Sequence, residues 1–163
     1  VSIRHVPCVM SVKGRKFRPR KDKMMLNFLA IAAATVAGML VGWAWFSPAL
    51  LGKPWAARAG IDLTAKTPGW AYLLALVATA ITATVLALAA AIAHDQFGGS
   101  FLAVTLAVAS IGWLGFTASR NAVEYLFEKK SPTLFAIDMG HQLAVLIVMP
   151  VVIGLFGHTS QIG

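Results

Sequence analysis

Within "SRNAVEYLFEKK" and "FAIDMGHQL", a small set of side chains has the types and spacing to do chemistry. Arg120 and Glu124 are four apart and share a face if the helix before them continues past Ser119. Asn121 lies beside them. Asp138 and His141 are three apart near the start of the last apolar stretch. Arg120, Asn121, Glu124, Asp138 and His141 can therefore converge at one level. Three chemistries suit the group. One is a structural network, with Arg120 paired to Glu124 or Asp138 and Asp138 favouring the positive end of a helix. Another is a ligand or proton site, since ionisable groups at membrane depth face interiors or wet cavities. The third is catalysis or metal binding. One carboxylate and one imidazole fall short of the four ligands of a closed zinc site. No nucleophile elbow, P-loop or GxGxxG occurs. No catalytic, cofactor or metal residue is assigned.

The elements that position this group follow from composition. Of 163 residues, 58% are hydrophobic and only 12% charged, with a mean hydropathy of +0.75. A soluble domain would carry about 25% charge. This is the composition of an integral membrane protein. Four apolar stretches run about 24–46, 70–93, 101–119 and 134–156. At 1.5 Å per residue each crosses a hydrocarbon core of ~30 Å. They are continuous and lack period-2 alternation, so a barrel is excluded and an all-α four-helix membrane bundle is expected. Asp138 is the one charged residue inside these stretches, about 6 Å deep by helix rise.

Charge is segregated. Eight of the fourteen Lys and Arg precede residue 24. Residues 1–23 read as a basic tail, disordered or non-native, with 24–163 as one domain. "MMLNFLA" reads as a natural start at Met24 or Met25. With that start, the remaining Lys and Arg all fall on loops one and three, which become cytoplasmic by the positive-inside rule. With the tail, orientation is undecided. The single cysteine, Cys8, permits no intrachain disulfide. Nucleic-acid binding is rejected because no RNA-binding motif or folded basic face accompanies the tail.

Trp43, Trp45, Trp55, Trp70 and Tyr72 fall on the loop-one face, and Tyr125 on the loop-three segment of the same face. They read as interfacial anchors, because these rings join an apolar body to a hydrogen-bonding tip. Pro48 disfavours helix at Ser47 and ends the first span. Gly38 and Gly42 form a small-xxx-small pair. Ala83 and Ala87 sit on a stripe at every fourth position from Ala75 to Ala91, and Gly112 and Gly115 add small residues to helix three. These faces are expected to pack the bundle, with homo-oligomer contact as the alternative. "GWAWFS" and "GWLGFT" echo one another, as do "TPGW" and "SPTL". Two parallel helical-hairpin repeats are one origin of the echoes and chance is the other. His94-Asp95 reads as part of a solvated turn.

From residue 25 to about 156 the chain resembles a bacterial family of small four-span membrane proteins, domain of unknown function 1761. The likeness rests on Gly42, Trp45, Phe46, Ser47, Pro48, Gly52, Lys53 and Trp55, then on Tyr125, Leu126, Glu128, Ile137, Asp138 and Gly140. The resemblance implies four spans and no known activity. The expected function is that of an inner-membrane accessory, scaffold or partner-binding protein without a cofactor. The alternatives are an oligomeric small-solute or proton-coupled transporter, and an enzyme acting on lipid headgroups. Expected partners are the bilayer and either a second copy or another membrane protein.

Overall fold

The computed structural model describes residues 27–159. The tail 1–23 and the Met24/Met25 start lie outside the described residues. Among those described there are helices and no strands. Helix α1 is Phe28–Trp45, α2 is Gly52–Ala59 and α3 is Gly69–Phe97. Helix α4, Phe101–Gly112, passes through a π-helical segment, Trp113–Ala118, into α5, Ser119–Phe127. Helix α6 is Pro132–Thr159. Four segments are long and apolar enough to cross a membrane: Phe28–Trp45, Gly69–Phe97, Phe101–Phe127 and Pro132–Phe156.

The helix ends differ from the expected limits for local reasons. Among the described residues α1 begins at Phe28, where the Asn27 side chain accepts from the Ala30 N–H and caps it. The Asn27 amide also donates to the Phe156 carbonyl, tying the start of α1 to the far end of α6. Helix α3 runs on to Phe97, where Gly98 (φ 68°) stops it. His94 is therefore not in a solvated turn; it is half-buried on the helix, edge-on to Phe101. The third span continues to Phe127 instead of ending at 119, which puts Arg120 and Glu124 on one face. The hydroxyls of Thr35, Thr79, Thr82, Thr84, Thr105, Ser110 and Ser119 donate to the carbonyl four residues back. That satisfies them where no water is at hand.

The spans pack as a ring in which α1 touches α3 and α6, and α4 touches the same two. The tight core lies in the half away from the aromatic end: Ile31, Ala34, Ala83, Ala87, Met149 and Ile153. Gly38 makes it possible, since a Cβ there would come 3.1 Å from Thr79 Cγ2 and 3.2 Å from Met149 Sδ. Gly154 takes α4 at closer range; its Cβ would lie 2.9 Å from Leu102 Cα. The alanine stripe buries Ala83 and Ala87, whereas Ala75 is exposed and Ala91 half-buried; Ala90, off the stripe, is buried as well. Gly112 and Gly115 face open space, so helix three does not pack through them as expected.

The aromatic half is looser. Leu73, Leu74 and Val77 of α3 are exposed, as are Leu114 and Phe116 of the π segment. There the third span contacts mainly itself. The two echoed motifs also differ in setting: "GWAWFS" ends a helix, whereas "GWLGFT" runs through the π segment.

Candidate functional site

At the aromatic end, loop one is more than a loop. Pro54 fits the first turn of α2, where its missing N–H costs nothing. Gly60, at φ 69°, ends the helix in the left-handed conformation. Gly52 is required at its start because a Cβ would collide with the carbonyl oxygens of Phe46 and Ser47, the latter at 2.7 Å. This short helix packs on α6 and turns Trp55 inward. Beyond it, Asp62 accepts from the hydroxyl and backbone N–H of Thr64, which hold its carboxyl below the usual range.

Trp55 Nε1–H donates to Asp138 Oδ1 at 3.0 Å. The Tyr125 hydroxyl donates to Asp138 Oδ2. Each carboxylate oxygen thus holds a neutral donor from a different element, α2 and α5. Trp45 Nε1–H donates to the Ile137 carbonyl at 3.1 Å, one residue away on α6. The Trp45 ring lies against Gly140, where a Cβ would come within 2.8 Å of it. Three of the six rings expected as anchors therefore tie other elements to the start of α6. The remaining three, Trp43, Trp70 and Tyr72, are exposed. Trp113 has its indole nitrogen buried without a hydrogen-bond partner.

His141 sits one turn below Asp138. Its ring centroid is 4.8 Å from that of Phe46 and 6.4 Å from that of Trp45. Its Nε2 is buried without a hydrogen-bond partner and faces Gly42, where a Cβ would come within 3.3 Å. The expected pairing of Arg120 is absent: it is exposed, and the ion pairs among the described residues run from Lys130 instead. Lys130 Nζ lies 2.5 Å from Glu128 and 3.7 Å from Glu124, and 5.0 Å from the Tyr125 ring centroid. Its hydrogen bond to Glu128 holds the ammonium above the ordinary lysine range. The turn that brings Lys130 back over Tyr125 depends on Lys129, which takes φ 52°.

Between α5 and α6 these residues leave a cup of about 260 Å³. Asn121, Glu124, Tyr125, Asp138 and His141 line it, together with Phe46, Lys130, Met139 and Gln142. The group expected from spacing is thus assembled except for Arg120. Missing from that expectation were α2, the donor role of Trp55, and Lys130. The available signals were Pro54 in the first turn and Gly60 just past the end of an eight-residue helix, and the need of a buried indole N–H for an acceptor. Among the described residues no group of three or more His, Cys, Asp or Glu is placed to hold a metal ion.

Four helices long and apolar enough to cross a membrane, with no strand among the described residues, make this a multi-pass helical membrane protein with a polar cup at one end. The chain belongs to the family described as "Protein of unknown function (DUF1761)", which it matches over residues 29–154. Neither a curated protein nor a solved structure matches it.

Proposed function

We propose that this protein is a non-enzymatic accessory or partner-binding protein of the inner membrane, with the aromatic end as its working surface. The observation that supports this reading is the clamp on Asp138. Trp55 and Tyr125 donate to its two oxygens, so the carboxylate fastens α2 and α5 to α6. A general base needs instead to reach a substrate proton. A transport route through one copy would have to cross the level of Met149 and Ile153, both almost fully buried in the core. With a start at Met24 or Met25, the six remaining Lys and Arg all lie at the aromatic end, which favours a cytoplasmic position for it.

Reconstitution tests the reading. Wild-type proteoliposomes should pass protons and small solutes no faster than empty vesicles. In the same preparation Asp138→Asn should loosen loop one toward protease. Proton flux in the wild type that Asp138→Asn abolishes would overturn the proposal in favour of a transporter.

A further inference from the structure

We infer that the cup receives an ammonium group, primary or quaternary, and that Lys130 occupies its mouth as an internal stand-in. The inference deepens the accessory reading and rests on the binding role given there to the aromatic end. Its basis is the setting of Lys130. That ammonium lies over the Tyr125 ring and beside the carboxylate of Glu124, both of which line the cup. A ring face with a carboxylate at its edge is the chemistry that recognises ammonium ions. The rest of the lining agrees. Asp138 adds a second carboxylate, Phe46 a second ring, and Asn121 and Gln142 side-chain carbonyls. An anion entering the cup would meet both carboxylates, and Lys130, the one cation in the lining, is already engaged by Glu124 and Glu128.

Size and exposure also fit. At ~30 Å³ per water, about 260 Å³ holds roughly nine water volumes, room for a small alkylammonium rather than a large ligand. Lys130 is exposed, on a flexible four-carbon stem, so an incoming ammonium displaces it without disturbing the helices. At the surface end of the spans, where the proposed function puts the cup, an ammonium is presented by a zwitterionic lipid or by a free amine in solution.

Two arms separate these sources. In native mass spectrometry, protein from mixed micelles should retain phosphatidylethanolamine or phosphatidylcholine over phosphatidylglycerol if the source is lipid. In phosphatidylglycerol nanodiscs, calorimetric titration should show tetramethylammonium or ethanolamine binding above a sodium control if the source is soluble. Either result supports an ammonium site. In the arm that binds, Lys130→Ala should tighten binding about two- to fivefold and Glu124→Gln should weaken it by a similar factor, the size of an exposed cation–π contact. Both residues are exposed, so neither change threatens folding. No ammonium preference in either arm overturns the inference, as does Lys130→Ala without effect. Such a failure leaves the flux-free, clamped reading intact, whereas flux in the reconstitution assay overturns that reading whatever the cup binds.

Discussion

Asp138 gathers more of this protein's aromatic end than any other side chain. Its two oxygens fasten α2 through Trp55 and α5 through Tyr125. Hydrogen bonds to charged groups contribute about 1.5–3 kcal/mol, and a buried donor left without a partner costs about 1–3 kcal/mol. Asp138→Leu removes the acceptor from both donors at once. It should lower stability by about 2–4 kcal/mol in denaturation of the purified protein in detergent. Asp138→Asn keeps one carbonyl oxygen and should cost about half as much. Equal losses for the two variants would mean that packing, not acceptance of the two donors, sets the role of Asp138. Tyr125→Phe isolates one arm of the clamp. Hydrogen exchange should speed up through 113–127, where the π segment and α5 pack little on other spans. Exchange through 83–90 should stay unchanged, because Ala83, Ala87 and Ala90 sit in the tight core.

Elements meet through glycines in this bundle, but only some glycines do the work. Gly154 is pressed against the backbone of α4, with Leu102 Cα 2.9 Å from where a Cβ would stand. Gly154→Ala should therefore destabilise by about 1–3 kcal/mol, as overpacking does. Gly112 has nothing within 4 Å, so Gly112→Ala should be neutral or should stabilise by up to about 1 kcal/mol through helix propensity. Thermal denaturation of the pair checks both. This contrast also marks what the sequence made legible. Four spans were plain because burying a backbone in lipid demands long apolar helices, and nothing else in the chain has that length. The far half of the alanine stripe was legible because Ala83 and Ala87 recur at helical spacing. Which glycines touch a neighbour was not, because period-3.6 geometry places a residue on a face without saying whether another helix reaches that level. At the site, the spacing of Glu124, Asn121, Asp138 and His141 was enough to predict their convergence. Arg120 is exposed and Lys130 meets Glu124 instead, carried back by the turn at Lys129, and a left-handed lysine is invisible to spacing arguments. Helix α2 was hidden by its brevity, since eight residues with two breakers read as loop.

Across the whole molecule the two ends differ in packing, charge and aromatic content. The far half holds the close-packed core and ends in exposed Phe28 and Phe97. The other half is open between α5 and α6, carries the cup, and collects every Trp-mediated or Tyr-mediated hydrogen bond described. Such asymmetry is expected if the two ends meet different solutions. Loops one and three must share a side, because Trp55 of the first and Tyr125 beside the third hold the same carboxylate. Lys53, Arg58, Lys66, Arg120, Lys129 and Lys130 all lie there, whereas the loop at Gly98–Gly99 has no Lys or Arg. With a start at Met24 or Met25, the positive-inside rule favours the cytoplasmic orientation proposed above for the cup; the eight Lys and Arg of residues 1–23 weigh against it. Single cysteines at Thr64, Glu128 and Ser100 in a Cys8→Ser background test this with a membrane-impermeant thiol reagent. In right-side-out vesicles, Ser100→Cys should label and the other two should label only after permeabilisation. If Thr64→Cys and Glu128→Cys label in intact vesicles while Ser100→Cys does not, the molecule is inverted and its ammonium cup faces the outside. Labelling of Thr64→Cys and Glu128→Cys from opposite sides would contradict the shared carboxylate itself.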